Sequence, residues 1–235
     1  MSGTTTIWRN DLRSIVRDRT VSVLLFVPLI FLGLLRFGLP LLERKWPALG
    51  DHHTVLLGLF CVIVGMFPAF MLSFVMVDER DQGLVSAFKV LPVSPNRFLM
   101  SRLSMVVALG LLYPLLLVLG AGIGSYGLGR SLLLAALCAT GGAAAMITAV
   151  TLARNKIECL TAFKALFVLA ALGATGALGS FEGWNRVPGI LPTYWVFAAF
   201  DASDTQDFLT SSAMAALLLG LFVWIFYRSF RRNLF

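Results

Sequence analysis

Six long apolar runs, separated by charged or Gly/Pro-rich breaks, dominate the pattern of hydrophobic and polar positions. Each run is long enough to cross the ~30 Å hydrocarbon core of a bilayer as an α-helix. The pattern therefore predicts an all-α polytopic membrane protein with a single transmembrane domain over residues 1–235. The runs cover residues 20–42, 54–77, 103–123, 131–153, 160–178 and 208–227.

The segment before the first run, residues 1–19, shows a different periodicity. Trp8, Leu12, Ile15 and Val16 recur at helical spacing, and charged or polar residues occupy the opposite face. This pattern predicts an amphipathic helix that lies in the membrane interface. Periodicity allows two roles: a simple anchor for the N-terminus, or a lever that connects a cytoplasmic partner to the first span.

The composition supports a membrane location. Of the 235 residues, 58% are hydrophobic and only 13% are charged, which leaves too little polar surface for a water-soluble globule. The net charge of +7 does not indicate nucleic-acid binding, since the basic residues flank apolar runs instead of forming one patch. Most of the nineteen lysines and arginines fall on one side if both termini are cytoplasmic. The positive-inside rule then predicts cytoplasmic termini, residues 179–207 outside, and a cytoplasmic tail over 228–235.

The break between the second and third runs, residues 78–97, has structure of its own. Leu84, Phe88 and Leu91 share one helical face, and Pro92 ends that helix because proline lacks an N–H. The sequence predicts a short helix along the cytoplasmic side that presents charge and an apolar ridge. Such a helix suits docking into a groove of a partner protein.

The break after the fifth run contains an apolar stretch, residues 187–200, that is too short to span the bilayer. Pro188 and Pro192 interrupt it, and Tyr194 and Trp195 suit the aromatic belt at headgroup depth. We expect this stretch to re-enter the membrane or to lie in the outer leaflet.

Together these features resemble the type 2 ABC exporter permeases, and the likeness covers nearly the whole chain. Within that family the chain is most similar to small drug-export permeases, fluoroquinolone exporters among them. The resemblance rests on the six spans, the amphipathic first helix and three short elements in matching places. These are Glu79-Arg80-x-x-Gly83 after the second span, Leu-Pro-Val-Ser at 91–94, and Leu-Pro-x-Tyr-Trp at 191–195.

The resemblance assigns roles to several segments. It implies that residues 78–91 form a coupling helix held by a nucleotide-binding ATPase subunit, with residues 7–19 as the connecting helix and 154–158 as a second, weaker contact. Residues 187–200 would cap the external end of the path. The implied coupling residues are Asp78, Glu79, Arg80, Gly83, Leu84, Phe88 and Leu91; those of the connecting helix are Trp8, Leu12, Ile15 and Val16; those of the external gate are Pro188, Pro192, Tyr194 and Trp195.

The same resemblance places a drug path between two permease copies, so a second copy or a paralogue would complete it. Its apolar candidates here are Phe67, Phe70, Phe74, Phe163 and Phe167. No GxxxxGK[ST] phosphate-binding motif occurs in the chain, so ATP and Mg²⁺ are expected in a separate subunit. We expect no cofactor, no enzymatic activity and no nucleic-acid partner for this chain, which would reside in a bacterial-type inner membrane.

Two other functions stay open: a secondary transporter without an ATPase, and a non-transport assembly or immunity factor. The predicted spans contain no Asp or Glu that would carry a proton or sodium ion, which disfavours the first. We expect His52 and His53 to be loop residues rather than metal ligands and the three cysteines to be buried thiols. Arg36, inside the first span, is expected to extend to the outer headgroups; contact with an anionic substrate or a partner charge is the alternative.

Overall fold

The computed structural model describes residues 26–82, 95–178 and 188–234, and this part of the chain is almost entirely helical. Because apolar side chains fill long uninterrupted runs, backbone hydrogen bonds can be satisfied within each helix, as a lipid environment requires. The α-helices are α1 Val27–Gly33, α2 Leu39–Glu43, α3 His53–Asp81, α4 Pro95–Gly120, α5 Leu128–Leu152, α6 Lys156–Ala177, α7 Pro192–Asp201 and α8 Thr205–Leu234. A π-helical turn, Leu34–Gly38, joins α1 to α2, and 3₁₀ turns precede α3 and α7.

Five helices of the described part are long and apolar enough to cross a membrane. The candidate membrane spans are Pro47–Asp81, Leu99–Gly120, Leu128–Leu152, Lys156–Ala177 and Thr205–Arg228, and they correspond to the second to sixth predicted runs. The first run enters the described part only at Phe26. The described part of the chain is thus all-helical, the chain is a multi-pass membrane protein, and the first of the six predicted spans stays a prediction.

Successive long helices run in opposite directions, which gives the bundle two ends. At the end near Tyr126, the tyrosine hydroxyl donates to the Phe200 carbonyl over 2.6 Å, and Thr54 donates to Asp201 over the same distance. At the end near Arg102, the last turn of α3 meets α4, α5 and α6. These are called below the Tyr126 end and the Arg102 end.

The centre of the bundle is a close contact of α3, α4 and α5 at three glycines. A Cβ added at Gly142 would lie 2.4 Å from the Gly65 carbonyl oxygen, and one at Gly110 would lie 3.2 Å from the same oxygen. Only glycine, which has no side chain, allows backbones to approach this closely. Close packing at such small residues holds helices together in lipid, where there is no hydrophobic driving force between them. Gly142 therefore sets the distance between α3 and α5.

Two helix boundaries differ from those that the hydrophobic runs indicate. α3 continues through Asp78, Glu79 and Arg80 to Asp81, whereas the second apolar run ends at residue 77. α8 begins at Thr205 and continues to Leu234, across the predicted end of the sixth span at residue 227. Each apolar run ends at its first charged residue. The backbone hydrogen bonds of the helix continue past that residue, because charged residues are compatible with a helix that leaves the membrane.

Candidate functional site

The charged last turn of α3 contacts three other helices, and we call it the α3 clamp: Asp78, Glu79 and Arg80. Three consecutive residues point to different sides of a helix, since each residue turns it by about 100°. Each of the three side chains therefore reaches a different neighbour. Glu79 binds α4, Arg80 binds the end of α5, and Asp78 binds the first residue of α6.

The contact of Glu79 with Arg102 of α4 is the most buried of the three. Arg102 is 1% exposed and donates from Nη1 and Nη2 to the two carboxylate oxygens, each over 2.7 Å. This bidentate geometry is the strongest form of a carboxylate–guanidinium pair. Since a buried charge is costly without its partner, the pair fixes α3 to α4 in one arrangement.

Arg80 reaches the end of α5. It donates from Nη1 to the Val150 carbonyl over 3.4 Å and from Nη2 to the Ala153 carbonyl. The last carbonyls of a helix have no partner within the helix and carry a partial negative charge, so a guanidinium there stabilises the helix end.

Asp78 completes the α3 clamp through Lys156, whose Nζ lies 2.7 Å from Asp78 Oδ1. Lys156 is the first residue of α6, and Asn155 caps that helix by accepting from the Glu158 N–H over 2.9 Å. The Glu158 carboxylate in turn accepts from the backbone N–H of Arg154 over 2.7 Å. This capping arrangement fixes the α5–α6 turn in place beside the α3 clamp.

The five phenylalanines predicted for the substrate path form one continuous aromatic stripe between α3 and α6. We call it the phenylalanine ladder. Adjacent ring centroids are 5.9 Å apart for Phe70 and Phe74, 5.2 Å for Phe70 and Phe163, 6.3 Å for Phe163 and Phe167, and 6.3 Å for Phe67 and Phe167. These separations lie in the range in which aromatic rings attract one another.

Two features extend the ladder in opposite directions. Phe31 of α1 adds a ring 6.5 Å from Phe67 and 4.8 Å from Phe60, towards the Tyr126 end. At the Arg102 end, the Lys156 ammonium lies 5.5 Å from the centre of the Phe74 ring. Phe163 is buried, whereas Phe67, Phe70, Phe74 and Phe167 are half-buried. The ladder therefore begins beside the α3 clamp and presents part of its surface outside the bundle.

Of the residues predicted for the external gate, Pro192, Tyr194 and Trp195 lie at the start of α7, and Pro188 begins the 3₁₀ turn before it. Pro192 is in the first turn, where a missing N–H costs nothing. The Trp195 indole donates to the Gly189 carbonyl over 2.8 Å, and the Tyr194 and Trp195 rings meet edge to face at 5.2 Å. A Cβ on Gly173 of α6 would lie 2.7 Å from the Tyr194 backbone nitrogen. α7 is thus held tightly against α6 at the Tyr126 end.

Comparison with known proteins assigns the family. The model of one protein family, described as fluoroquinolones export permease protein Rv2686c-like, matches residues 11–227. The chain belongs to this permease family. It is 29% identical, over 238 aligned positions, to the fluoroquinolones export permease protein Rv2686c of Mycobacterium tuberculosis strain H37Rv. The alignment covers 95% of this chain and 92% of that protein, and the MT2760 protein of strain CDC 1551 gives the same values.

The family assignment confirms the drug-export permease resemblance read from the sequence. The matched protein is named an export permease, and this name agrees with the expectation of a transport protein rather than an enzyme. The α3 clamp and the phenylalanine ladder lie within the matched residues. Other predicted residues fall outside the described part of the chain: Gly83, Leu84, Phe88 and Leu91 of the coupling segment, and Trp8, Leu12, Ile15 and Val16 of the connecting helix.

Several contacts of the permease were not foreseen from its sequence. Arg102 and Lys156 are the partners of the α3 clamp, yet hydropathy marks them only as charges that flank spans. Arg36 donates from Nη1 to the carbonyl of Gly120, the last residue of α4, over 2.9 Å. Neither interpretation of Arg36 drawn from the sequence includes this contact, because no periodicity links residues so far apart in the chain.

His53 is the first residue of α3, and its Nε2 contacts Glu43 Oε1. Cys61, Cys138 and Cys159 are buried as free thiols. Within residues 26–82, 95–178 and 188–234, no three His, Cys, Asp or Glu side chains lie close enough together to hold a metal ion.

Proposed function

We propose that this permease is the membrane subunit of an ATP-driven ABC exporter, powered by a separate nucleotide-binding subunit, with a second permease copy or a paralogue completing the path. It moves an amphipathic small molecule, a drug, antibiotic or lipid-like compound, outwards across a bacterial-type inner membrane. Family membership supports the export function. The placement of the α3 clamp supports the mode of coupling.

The α3 clamp lies immediately before residues 83–91, the segment that is expected to dock onto the ATPase. Glu79, Arg80 and Asp78 tie the end of α3 to α4, α5 and α6. A displacement of the docking segment therefore acts on four helices together instead of bending one. This is the requirement for a movement at the ATPase to open or close a path along the bundle.

The phenylalanine ladder is the proposed wall of that path. Its half-buried rings form a face that a second copy would cover, and aromatic faces bind planar apolar groups through stacking and edge contacts. The relatives are named for fluoroquinolones, which are planar aromatic compounds. Because Lys156 and the α3 clamp flank one end of the ladder, helix movements at the clamp change the spacing of the rings.

The orientation follows from charge. With both termini in the cytoplasm, the Arg102 end faces the ATPase and the Tyr126 end faces outwards. α7 and its aromatic pair, Tyr194 and Trp195, then form the outer gate. The concentration of basic residues beside the Arg102 end, Arg80, Arg102, Arg154, Lys156 and Arg228 among them, supports this direction.

The experiment is co-expression with a candidate ATPase subunit from the same genome, followed by reconstitution into proteoliposomes. We expect a stable complex whose ATP turnover drives uptake of the compound into those proteoliposomes in which the ATPase is on the outer surface. Phe88→Ala should retain the complex and its ATP turnover but lose coupled transport, and Glu79→Ala should lose coupled transport together with part of the stability of the permease. Transport by the permease alone, driven by a proton gradient, would contradict the proposal in favour of a secondary transporter. A complex that transports no compound would favour the assembly or immunity role.

A further inference from the structure

An apolar cavity of about 110 Å³ lies between α5, α6, α7 and α8, with α3 behind it. Leu166 of α6 and Phe222 of α8 form two of its sides, and Pro192 at the start of α7 forms a third. On α5 the lining lies between Leu137 and Ala145, near the middle of that span. The cavity is therefore near the centre of the hydrocarbon core, away from both membrane surfaces.

The lining of this cavity offers almost no polar surface. Among its described residues only Thr193 carries a hydroxyl, and the Cys138 thiol is a weak hydrogen-bond partner. An ordered buried water needs about two to four polar partners, whereas an apolar cavity of roughly 150 Å³ stays dry and binds benzene. The chemistry of the wall therefore favours hydrocarbon over water or a charged group.

A gap between α6 and α8 gives the cavity an opening. Both helices pack against α5 and α7, and over the described residues they have no extensive contact with each other. Gly141, on the α5 wall, is partly exposed, although residues 142–150 that follow it are all buried. Leu169 of α6, another residue of the lining, is 46% exposed. The opening is thus bordered by a side chain that faces the surroundings of the bundle.

This opening lies away from the phenylalanine ladder. Leu169 follows Phe167 of the ladder by two residues, which turns its side chain by about 200° around α6. A second permease copy that covers the ladder therefore leaves this side of α6 to the bilayer. Because α6 and α8 are both membrane spans, the medium at the opening is lipid hydrocarbon.

We infer that one acyl chain of a bilayer lipid enters between α6 and α8 and fills the cavity. A void leaves the atoms of its lining without contacts on one side, and a lipid tail restores those contacts. The tail is already in an apolar medium, so only the loss of its own freedom opposes its entry. Gly141 makes room for the tail, since a Cβ there would meet no atom within 4 Å. Because no charged residue lines the cavity, the site recognises the chain and not the headgroup.

The test uses the full-length permease in nanodiscs that contain a phospholipid with a diazirine near the methyl end of one acyl chain. After illumination, peptide mass spectrometry locates the labelled residues. We expect label on residues 137–145 of α5, in addition to the label that any lipid-facing side chain receives. Label at Leu217 of α8, which is 62% exposed and outside the lining, serves as the internal reference.

Two variants fill the cavity from different walls: Gly141→Leu from α5 and Ala170→Leu from α6. Each should lose the α5 label while the label at Leu217 stays. Gly220→Leu is the matched control and should keep the α5 label, because a Cβ at Gly220 meets no atom within 4 Å and the residue lies outside the lining. Thermal unfolding identifies the variants that are folded, and one folded filling variant suffices for the comparison.

The headgroup provides a second comparison. Phosphatidylglycerol and phosphatidylcholine that carry the same photoreactive chain should label α5 equally, and label from only one of them would overturn recognition of the chain. Absence of the α5 label in the original chain would also overturn the inference, whether the cavity is then empty or holds another occupant. The same holds if a folded filling variant keeps the α5 label. These measurements need no ATPase, so co-purification and ATP-driven transport decide the proposed function separately.

Discussion

Arg102 of α4 donates to both carboxylate oxygens of Glu79 on α3, over 2.7 Å each, while only 1% of Arg102 is exposed. A guanidinium buried to this extent has exchanged its hydration for partners within the protein, and the Glu79 carboxylate is the charged one among the contacts above. The pair therefore couples the two helices at the end of the bundle where the segment expected to meet the ATPase begins. The α3 clamp thus contains a buried charge pair, Glu79 with Arg102, and a partly exposed pair, Asp78 with Lys156, whose contributions to stability can be compared.

Removing the Glu79 charge should destabilise the permease more than removing the Asp78 charge. Glu79→Gln leaves a buried guanidinium without its carboxylate, which typically costs about 3–5 kcal/mol. Asp78→Asn breaks a partly exposed pair with Lys156, which typically contributes about 0–1 kcal/mol. Thermal unfolding in detergent measures both. The double variant Glu79→Arg/Arg102→Glu should recover part of the loss; equal losses for the two single variants would refute the assigned strengths.

Gly142 and its neighbour Gly141 should respond differently to the same substitution. Gly142→Ala places a methyl group 2.4 Å from the Gly65 carbonyl oxygen, so α3 and α5 must separate, at a typical overpacking cost of about 1–3 kcal/mol. Gly141→Ala meets no atom within 4 Å. The melting temperature should fall for the first variant and stay unchanged or rise for the second. An unchanged melting temperature for Gly142→Ala would contradict the close α3–α5 contact.

The aromatic character of the phenylalanine ladder should matter for transport more than for folding. Phe67→Leu nearly conserves volume but removes a ring, and an aromatic pair contributes about 0.5–1.5 kcal/mol. We expect the substrate concentration that half-maximally stimulates ATP turnover to rise about 3- to 10-fold. Phe226→Leu, which removes a half-buried ring of α8 outside the ladder, is the control. A similar change in both variants would argue against a path along the ladder.

The hydroxyl of Tyr126 should contribute to stability in a pH-dependent way. Burial raises the pKa of Tyr126 above its usual value near 10, with Asp201 adding to the rise and Arg130 opposing it, so the neutral phenol continues to donate to Phe200. The unfolded chain loses this proton first as pH rises, and the stability from Tyr126 is therefore complete below about pH 10 and declines above it. Tyr126→Phe should cost about 1 kcal/mol at neutral pH.

The difference in unfolding free energy between the original chain and Tyr126→Phe isolates this effect from the other tyrosines. It should be constant from pH 7 to 9 and shrink above about pH 10. A difference that grows with pH would contradict the assigned direction of the pKa shift.

The orientation can be tested with single cysteines in a variant whose three native cysteines are replaced by alanine. Gly127→Cys lies in the α4–α5 turn at the Tyr126 end, and Arg154→Cys lies in the α5–α6 turn at the Arg102 end. A membrane-impermeant maleimide should label the first in intact cells and the second only after permeabilisation. Labelling in the opposite order would reverse the proposed direction of the permease.

The sequence alone determined the class of this protein. Long apolar runs can satisfy their backbone hydrogen bonds in lipid only as helices, so five described spans and their approximate places follow from hydropathy. Short elements such as Glu79-Arg80-x-x-Gly83 and their order sufficed to indicate the family. These properties are local: each depends on residues that are close together in the chain.

Only the tertiary structure decided which residues meet. The pairing of Glu79 with Arg102, the contact of Arg36 with Gly120 and the contact of the Phe163 ring with Phe70 of α3 depend on the rotation and tilt of whole helices. Helix packing sets these through contacts such as Gly142 against Gly65, which no hydrophobic period encodes. In a run of apolar residues, hydrophobicity does not distinguish the face that contacts another helix from the face that contacts lipid. The sequence therefore indicated the five phenylalanines but could not show that they form one ladder.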